Sequence, residues 1–410
     1  MGNNLKKNYA RLLVRSGLNV HKGQNVVIEV DVENEAFAKM VVAEAYEAGA
    51  KHVIVRYTDA RVDFLHLKYQ SVEEIRAVEH WERESIDTYL REDGCHLLLT
   101  SSYLGLLDDI DTYKMSAYQQ RTNELRNVVR HRVSSNGVQF CIAPVPNTLW
   151  ARSLFKDLDE KDALKAFWKT IFRLCYMTKD EDPVSTWNDH QARILTQRNK
   201  LNNLKIRELR FRNSLGTDLT VGLNERARWN GGNDIAQGKK TYSANIPSEE
   251  VFTSPDRKSV NGKVISSRPL YLAGRVIENF TLTFTDGKVS KIEAGKNKKL
   301  LEDLIATDEG SAYLGEVALV EASSNISQSG LLFYNTLLDE NAACHLALGK
   351  GFASSIEGAR ATPDETWTKA NLNVSAIHID FMFGTPDLEI TAITADGSTI
   401  QLFDHGNFVN

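Results

Sequence analysis

From Gly23 to Tyr57 the chain reads strand, helix, strand, and that order limits the fold more than any other feature of its 410 residues. GQNVVIEV is a short apolar run after a glycine turn. Glu33 to Ala48 then repeats apolar residues at helical spacing, with Phe37, Met40, Val41 and Ala45 on one stripe, and Gly49 closes the helix before HVIVRY. Two strands joined by a helix pair in parallel, and such crossovers are nearly always right-handed. CHLLLTSSYL and GVQFCIAPV read as further buried strands, with a polar helix over Lys114 to His131 between them. Asp162 to Met177 and Asp189 to Leu201 read as two more helices. The first half is therefore expected to be α/β with a mostly parallel sheet.

Near Leu204 the pattern changes. IRELRFRNSLGTDLTVGL alternates around a turn, and FTLTFTDGKVSKIEA and ITAITADGSTIQLF are each built around Asp-Gly. Asp-Gly between alternating runs signals a hairpin, because type I′ turns need positive φ. Helices are expected near Leu300 to Ala306 and over Asn341 to Phe352. A chain of this length exceeds a single core. The reading is an α/β domain over 1–203 and a β-rich α+β domain over 204–410.

Several functions are excluded early. After VVIEV comes DVENEA rather than a glycine-rich turn, and an acidic segment at a helix N-terminus repels a pyrophosphate. No Walker loop and no Gly-x-Ser-x-Gly elbow occurs. A net charge of -5 offers no footprint for nucleic acid. No run of about 18 apolar residues suggests a membrane helix. Cys95, Cys141, Cys175 and Cys344 are scattered in or beside apolar stretches. They read as buried free thiols of a reducing compartment, and a cytoplasmic protein is expected.

The second half sets acids and histidines inside apolar surroundings. IPSEEVF carries Glu249 and Glu250, YLGEVALVE carries Glu316, LLDENAACHLALG carries Glu340 and His345, and AIHIDFMFG carries His378 and Asp380. In a strand, His378 and Asp380 at i and i+2 point to one face. Glu340 and His345 are read at the start and first turns of a helix. Singly, most of these have plain explanations. Glu249 and Glu250 suit a solvated corner, Glu316 a turn, and Asp339, Glu340 and Asn341 a helix N-terminus. Together they require several acids embedded in apolar stretches, each costly to bury unpaired. A shared cation relieves those costs at once. Carboxylates with imidazoles suit zinc, cobalt or manganese, and no cysteine pattern points to a structural zinc knot. Cys344, next to His345, is read as packing.

Four long motifs then resemble one family. NIPSEEVFTSPDR, TDEGSAYLGEVALVEAS, FYNTLLDENAACHLALG and SAIHIDFMFGTPDLEI, with Gly406 near the terminal hairpin, are similar to the thermophilic metallo-aminopeptidases that include aminopeptidase T, aminopeptidase S and PepS. YARLLVRSGLNVHKGQNVVI and AYEAGAKHVIV match more loosely, so the likeness spans nearly the whole chain. The resemblance implies an enzyme that releases N-terminal amino acids from peptides through a water activated by two divalent metals, zinc, cobalt or manganese. It implies metal ligands Glu250, Glu316, His345, His378 and Asp380, with Glu340 as a further one. It also implies a homodimer around an enclosed cavity; the charge and the lack of a long apolar run add the expectation of no nucleic acid or membrane partner. Glu316 is the candidate proton carrier, with Glu249 or Glu250 as alternatives.

Two departures stand out. Phe352 occupies the place where the family usually has tyrosine, and Ser324 to Ser327 read SNIS in place of Ser-Pro-Ile-Ser. Phe352 supports an alternative, a catalytically impaired relative that binds metal and peptide. A nucleotide-dependent oxidoreductase is disfavoured by the missing glycine loop. A purely structural dimer with buried ion pairs is the third reading.

Overall fold

The computed structural model describes residues 2–91, 93–134, 138–236, 240–272, 275–359, 367 and 369–409. Contacts divide the chain into two compact units. One comprises Met1–Gln191 with Asn233–Pro247, the other Ala192–Gly232 with Ser248–Asn410. The division falls within the helix Pro183–Leu204.

The first unit is built on a parallel sheet in the order His52–Thr58, Asn25–Asp31, Cys95–Thr100, Gln139–Pro144. The second and third of these carry Val26, Val27, Ile28, Leu97 and Leu99 into the core, as strands covered on both faces must. The crossover helix spans Glu35–Glu47, and the long helix Thr112–Ser134 precedes the last strand. In Glu160–Leu174 the buried positions Ala163, Phe167, Trp168, Ile171 and Phe172 recur at helical spacing, and Asp159 caps the first turn by accepting from Asp162 N. Trp168 and Phe172 pack with Tyr9, and Trp168 also packs with Phe37. The hairpin Asp234–Ala236 with Lys240–Tyr242 belongs to this unit, anchored by Ser243 N donating to Ser16 O and Ile142 N to Ala244 O. All four cysteines of the chain are buried free thiols. No helix among the described residues is long and apolar enough to cross a membrane.

The second unit holds two antiparallel sheets of four or more strands and a two-stranded ladder, Leu270–Leu272 with Arg275–Ile277. The larger runs Lys288–Glu293, Thr281–Thr285, Pro255–Ile265, Asp218–Leu223, Ile206–Arg212, Glu389–Thr394, Thr399–Asp404, Asn407–Phe408. Its Asp286–Gly287 turn has positive φ at both residues, as type I′ requires. A Cβ on Gly287 would lie 1.8 Å from Arg257 O, so only glycine fits. The Asp396–Gly397 turn departs from expectation. Only Gly397 has positive φ, and the Asp396 carboxylate instead accepts from Ser398 N and the Thr394 hydroxyl.

The smaller sheet runs His378–Met382, His345–Gly349, Leu314–Leu319, Val251–Thr253. It corrects the expected helix over Asn341 to Phe352. The helix ends earlier, at Thr336–Glu340, and His345–Gly349 is a fully buried strand. Glu340 therefore closes a helix and His345 opens a strand. Alanine and leucine favour helix locally, but pairing with two neighbouring strands decides the outcome.

Candidate metal centre

Three strands of the smaller sheet share one alternation. Val317, Leu319, Leu346, Leu348 and Phe381 join the apolar core, with Ile379 packed against it. Successive side chains of a strand point to opposite faces. The residues between them, Glu316 and Ala318, His345 and Ala347, and His378, Asp380 and Met382, therefore share the other face. The register makes this concrete. Ala347 lies opposite both Glu316 and Asp380, and His345 lies opposite both Ala318 and Met382. Ala347 is thus the small residue between two acids, and its methyl leaves the space over the sheet open. On the edge strand, Phe252 faces Ala318, and Glu250 lies two residues before it, on the same side.

The ligand-type atoms of this face fall into two groups. Glu250, Glu316 and His345 offer atoms all within 4.8 Å of one another, and so do Glu316, His378 and Asp380. Glu316 belongs to both. His345 Nε2 is 3.1 Å from Glu250 Oε2, and His378 Nε2 is 3.1 Å from Glu316 Oε2. The other ring nitrogen of each histidine is held by the backbone, with His345 Nδ1 3.1 Å from Ala343 O and His378 Nδ1 2.7 Å from Lys350 O. A carbonyl accepts only from N–H, so these contacts fix Nδ1 as the protonated nitrogen and aim Nε2 at the acids, the arrangement that orients metal-binding imidazoles.

The electrostatics are those of a cluster seeking positive charge. Burial drives the Glu316 pKa up to about 7, aided by Asp380 and Glu250 and opposed by the hydrogen bond from His378. Burial also drives Glu340 well above the carboxylate range, with Asp380 and Glu250 adding to it. Burial disfavours the charged form of His345, but the bond to Glu250 and the surrounding acids overcome it and lift its pKa to about 10. His378 is raised well above its ordinary value against the same opposition, chiefly by Asp380. Protons on the imidazoles thus fill the role a metal cation would take. Asp380 Oδ1 lies 3.3 Å from His378 Nε2, yet it is a buried atom with no hydrogen-bond partner. Such an atom is costly unless something positive meets it. Carboxylate and imidazole donors, and this orphaned oxygen, fit a divalent cation.

The remaining candidates fall at the edge. Glu340 is half-buried, is hydrogen-bonded to Asp380 and accepts from Asn341 Nδ2 at 3.4 Å, but joins neither group. Glu249 is outside both groups, and its backbone N donates to Asn341 Oδ1 at 2.7 Å. Fully buried Asn341 also donates to Leu337 O, so it ties the Glu249–Glu250 segment to the end of the helix bearing Glu340. Cys344 packs away from the cluster, its thiol within 3.3 Å of Val320 N and O. Its orientation follows from the backbone ahead of a strand rather than from a helix. Phe352 stands at the rim, with its ring 4.9 Å from that of His378 and 5.2 Å from that of Phe252. Ser324 caps the short helix Asn325–Gln328 and accepts from Ser327 N. Ala347 and Met382 were not singled out from sequence, and Asn341, expected at a helix N-terminus, instead follows the C-terminal end of the helix Thr336–Glu340. The shared alternation of the three strands was the available signal for the first two.

Known proteins resemble this chain along nearly its whole length. Residues 3–408 match the model of the thermophilic metalloprotease (M29) family. The chain is 37% identical to aminopeptidase AmpS of Bacillus subtilis over 400 residues, covering 98% of this chain and 97% of that one. It is 35% identical to aminopeptidase PepS of Streptococcus thermophilus over 410 residues, 99% and 98% of the two chains. The solved structure of wild-type AmpT from Thermus thermophilus superposes with a TM-score of 0.92 at 32% identity, covering 100% of this chain and 99% of that one.

Proposed function

Because the chain belongs to the thermophilic metalloprotease family, we propose that this metallo-aminopeptidase removes N-terminal residues from peptides with the help of two adjacent divalent cations, one for each three-residue group. Glu250 and His345 would hold one, His378 and Asp380 the other, and Glu316 would be common to both. The single observation that supports two rather than one is the membership of Glu316 in both groups. Four carboxylates, counting Glu340, with two neutral imidazoles also balance the charge of two divalent ions. Such a pair, when bound, supplies an activated water and a Lewis acid at neutral pH.

The protein's own groups then do the following. The Nδ1–H bonds of His345 and His378 to backbone carbonyls hold both rings in place. A Glu316 engaged on both sides is poorly placed to shuttle a proton. Glu340, beside Asp380 and outside both groups, holds a proton while the cluster has no cation; with cations bound and its pKa lowered it would take the proton of the attacking water and return it to the leaving amine as the C–N bond breaks. The free α-amine of the substrate is recognised within the same acidic cluster, which confines cleavage to the N-terminus. Phe352 brings no hydroxyl to the rim, so turnover is below that of a chain with tyrosine there. The slowed enzyme is favoured over a purely binding relative because all six expected acids and imidazoles are present. The buried free cysteines support a reducing, cytoplasmic setting. The family resemblance supports a homodimer, and the donor set suits zinc, cobalt or manganese.

The test is to titrate metal-stripped protein with cobalt or zinc and follow release from aminoacyl-p-nitroanilides. Activity that saturates after two equivalents supports the proposal. Failure of either metal to restore release would sink it.

A further inference from the structure

We propose that Asn373 is a positioning residue of the metal centre: it clamps the backbone on both sides of Lys350 and so aims the imidazole of His378. The inference rests on the two-cation reading above and concerns what keeps one ligand in place.

The carbonyl that orients His378 sits in a stretch of chain with little stiffness of its own. Lys350 O, 2.7 Å from His378 Nδ1, lies in the sequence Gly349-Lys350-Gly351. Glycines on both sides give such a backbone wide freedom, and Gly349 uses it with a φ of 103°. Left alone, the peptide between Lys350 and Gly351 is free to rotate and carry its carbonyl away from the imidazole. A peptide group is planar, so fixing its N–H also fixes its C=O. Gly351 N, in the same plane as Lys350 O, donates to Asn373 O at 2.9 Å. The preceding peptide is held as well. Lys350 N donates to Ile377 O at 2.7 Å, and Gly349 O accepts from Asn373 Nδ2 at 2.5 Å. Asn373 thus grips both peptides that meet at Lys350, one through its main chain and one through its side chain.

The clamp is itself anchored. Asn373 Nδ2 also donates to Gly310 O at 2.8 Å, and Tyr313 O lies 3.5 Å from it. Three carbonyls at one end of the amide identify that end as the NH2. Gly310 lets the two segments come close, since a Cβ there would lie 1.9 Å from Val374 O. Asn373 is fully buried, and its Oδ1 is a buried atom that meets no donor among the described residues. An unmet buried acceptor is costly, and the carbonyls satisfied by Nδ2 offset that cost. Asn371, two residues earlier, provides the contrast. Its Nδ2 donates to Asp256 Oδ2 at 2.9 Å and its main-chain O accepts from Arg257 N, so it ties down the same segment without bonding to the Lys350 backbone.

The experiment titrates cobalt into metal-stripped wild type, Asn373→Ala, Asn373→Ser and Asn371→Gly by calorimetry, and records the visible absorption of the bound cobalt at each equivalent. Asn373→Ala is expected to weaken one of two cobalt ions by about 10–100-fold, as loss of a group that orients a metal ligand does, and to change the absorption of that ion alone. The other ion is expected to keep its affinity, because His345 is aimed by Ala343 O instead. Asn373→Ser keeps one donor and is expected to fall between Asn373→Ala and wild type. Asn371→Gly, which tolerates the φ of 56° at that position, is expected to keep both affinities. Two ions bound by Asn373→Ala with wild-type affinity would overturn the inference and leave the two-cation reading intact. So would equal weakening of both ions, or a loss in Asn371→Gly as large as that in Asn373→Ala, since either marks a general loosening. Asn373→Ser decides if Asn373→Ala does not fold. Loss of native circular dichroism in both would show that Asn373 holds the fold rather than aims His378, and would overturn the inference too. If wild type takes up fewer than two cobalt ions, the two-cation reading falls and this inference with it.

Discussion

Replacing Glu316 with glutamine isolates the feature on which the two-cation proposal depends. The substitution keeps volume and one acceptor oxygen but removes the charge shared by both groups, whose ligand atoms lie within 4.8 Å of one another. Unit charges about 4 Å apart interact by about 4 kcal/mol at an effective dielectric of 20. That corresponds to about three decades in affinity, applied to each cation because Glu316 belongs to both groups. Glu316→Gln should therefore weaken both ions together, so that after desalting at micromolar protein fewer than two remain. Removing His378 alone should weaken only one. The assay is metal content by elemental analysis after gel filtration, paired with calorimetric titration of cobalt into stripped protein. Release of p-nitroaniline by the variant should fall in step with occupancy. Two ions bound by Glu316→Gln with wild-type affinity would refute the shared-ligand argument. Selective loss of a single ion would refute it too, since a residue serving one group alone behaves that way.

Three further expectations follow from other parts of the molecule. Phe352→Tyr places a phenol on the rim beside His378, and restoring one such donor is worth up to about a hundredfold in turnover. The p-nitroanilide assay should show a rise, and a large fall would mean that Phe352 serves a different chemistry. Asn341→Ala removes the link between the Glu249–Glu250 segment and the helix end at Glu340. Cobalt affinity should drop about 10–100-fold, as for other groups that orient metal ligands. Asp31 is a buried acid whose pKa burial raises to about 6, and it accepts from Glu33 N. A folded pKa above the unfolded value means that the native state holds the extra proton. Stability is therefore lost as pH rises from about 4 to about 6. Asp31→Asn keeps the acceptor and removes the charge, so it should raise the melting temperature by about 2–4 °C above pH 7 and leave it unchanged near pH 4. An equal shift at both pH values would show that ionisation is not the cause.

How much of this was legible in the sequence depends on the range of the interaction involved. The strand–helix–strand opening and the Asp286–Gly287 hairpin are set by neighbours a few residues apart, so periodicity and turn chemistry reveal them. His378 and Asp380 could be placed on one face for the same reason. His345 could not. Its segment, ENAACHLALG, has the composition of a helix, and the alternation of His345 and Ala347 against Leu346 and Leu348 is hidden because alanine counts as apolar. What makes it a strand is pairing with Leu314–Leu319 and His378–Met382, each some thirty residues away. The return of Asn233–Pro247 to the first unit was invisible for the same reason.

The candidate residues could be singled out, because burying several acids has a cost that the sequence itself displays. Their grouping was not. It depends on register, and a shift of one residue between His345–Gly349 and its neighbours would turn His345 and Ala347 into the core and leave Leu346 and Leu348 between Glu316 and Asp380. Gly349 helps hold that register. Its φ is 103°, and a Cβ there would lie 2.2 Å from Ile377 O, so the backbones meet next to His378 only because the residue has no side chain. The candidate ligands are thus specified locally by polarity, and their convergence is specified by glycine and alanine residues that carry no chemistry of their own.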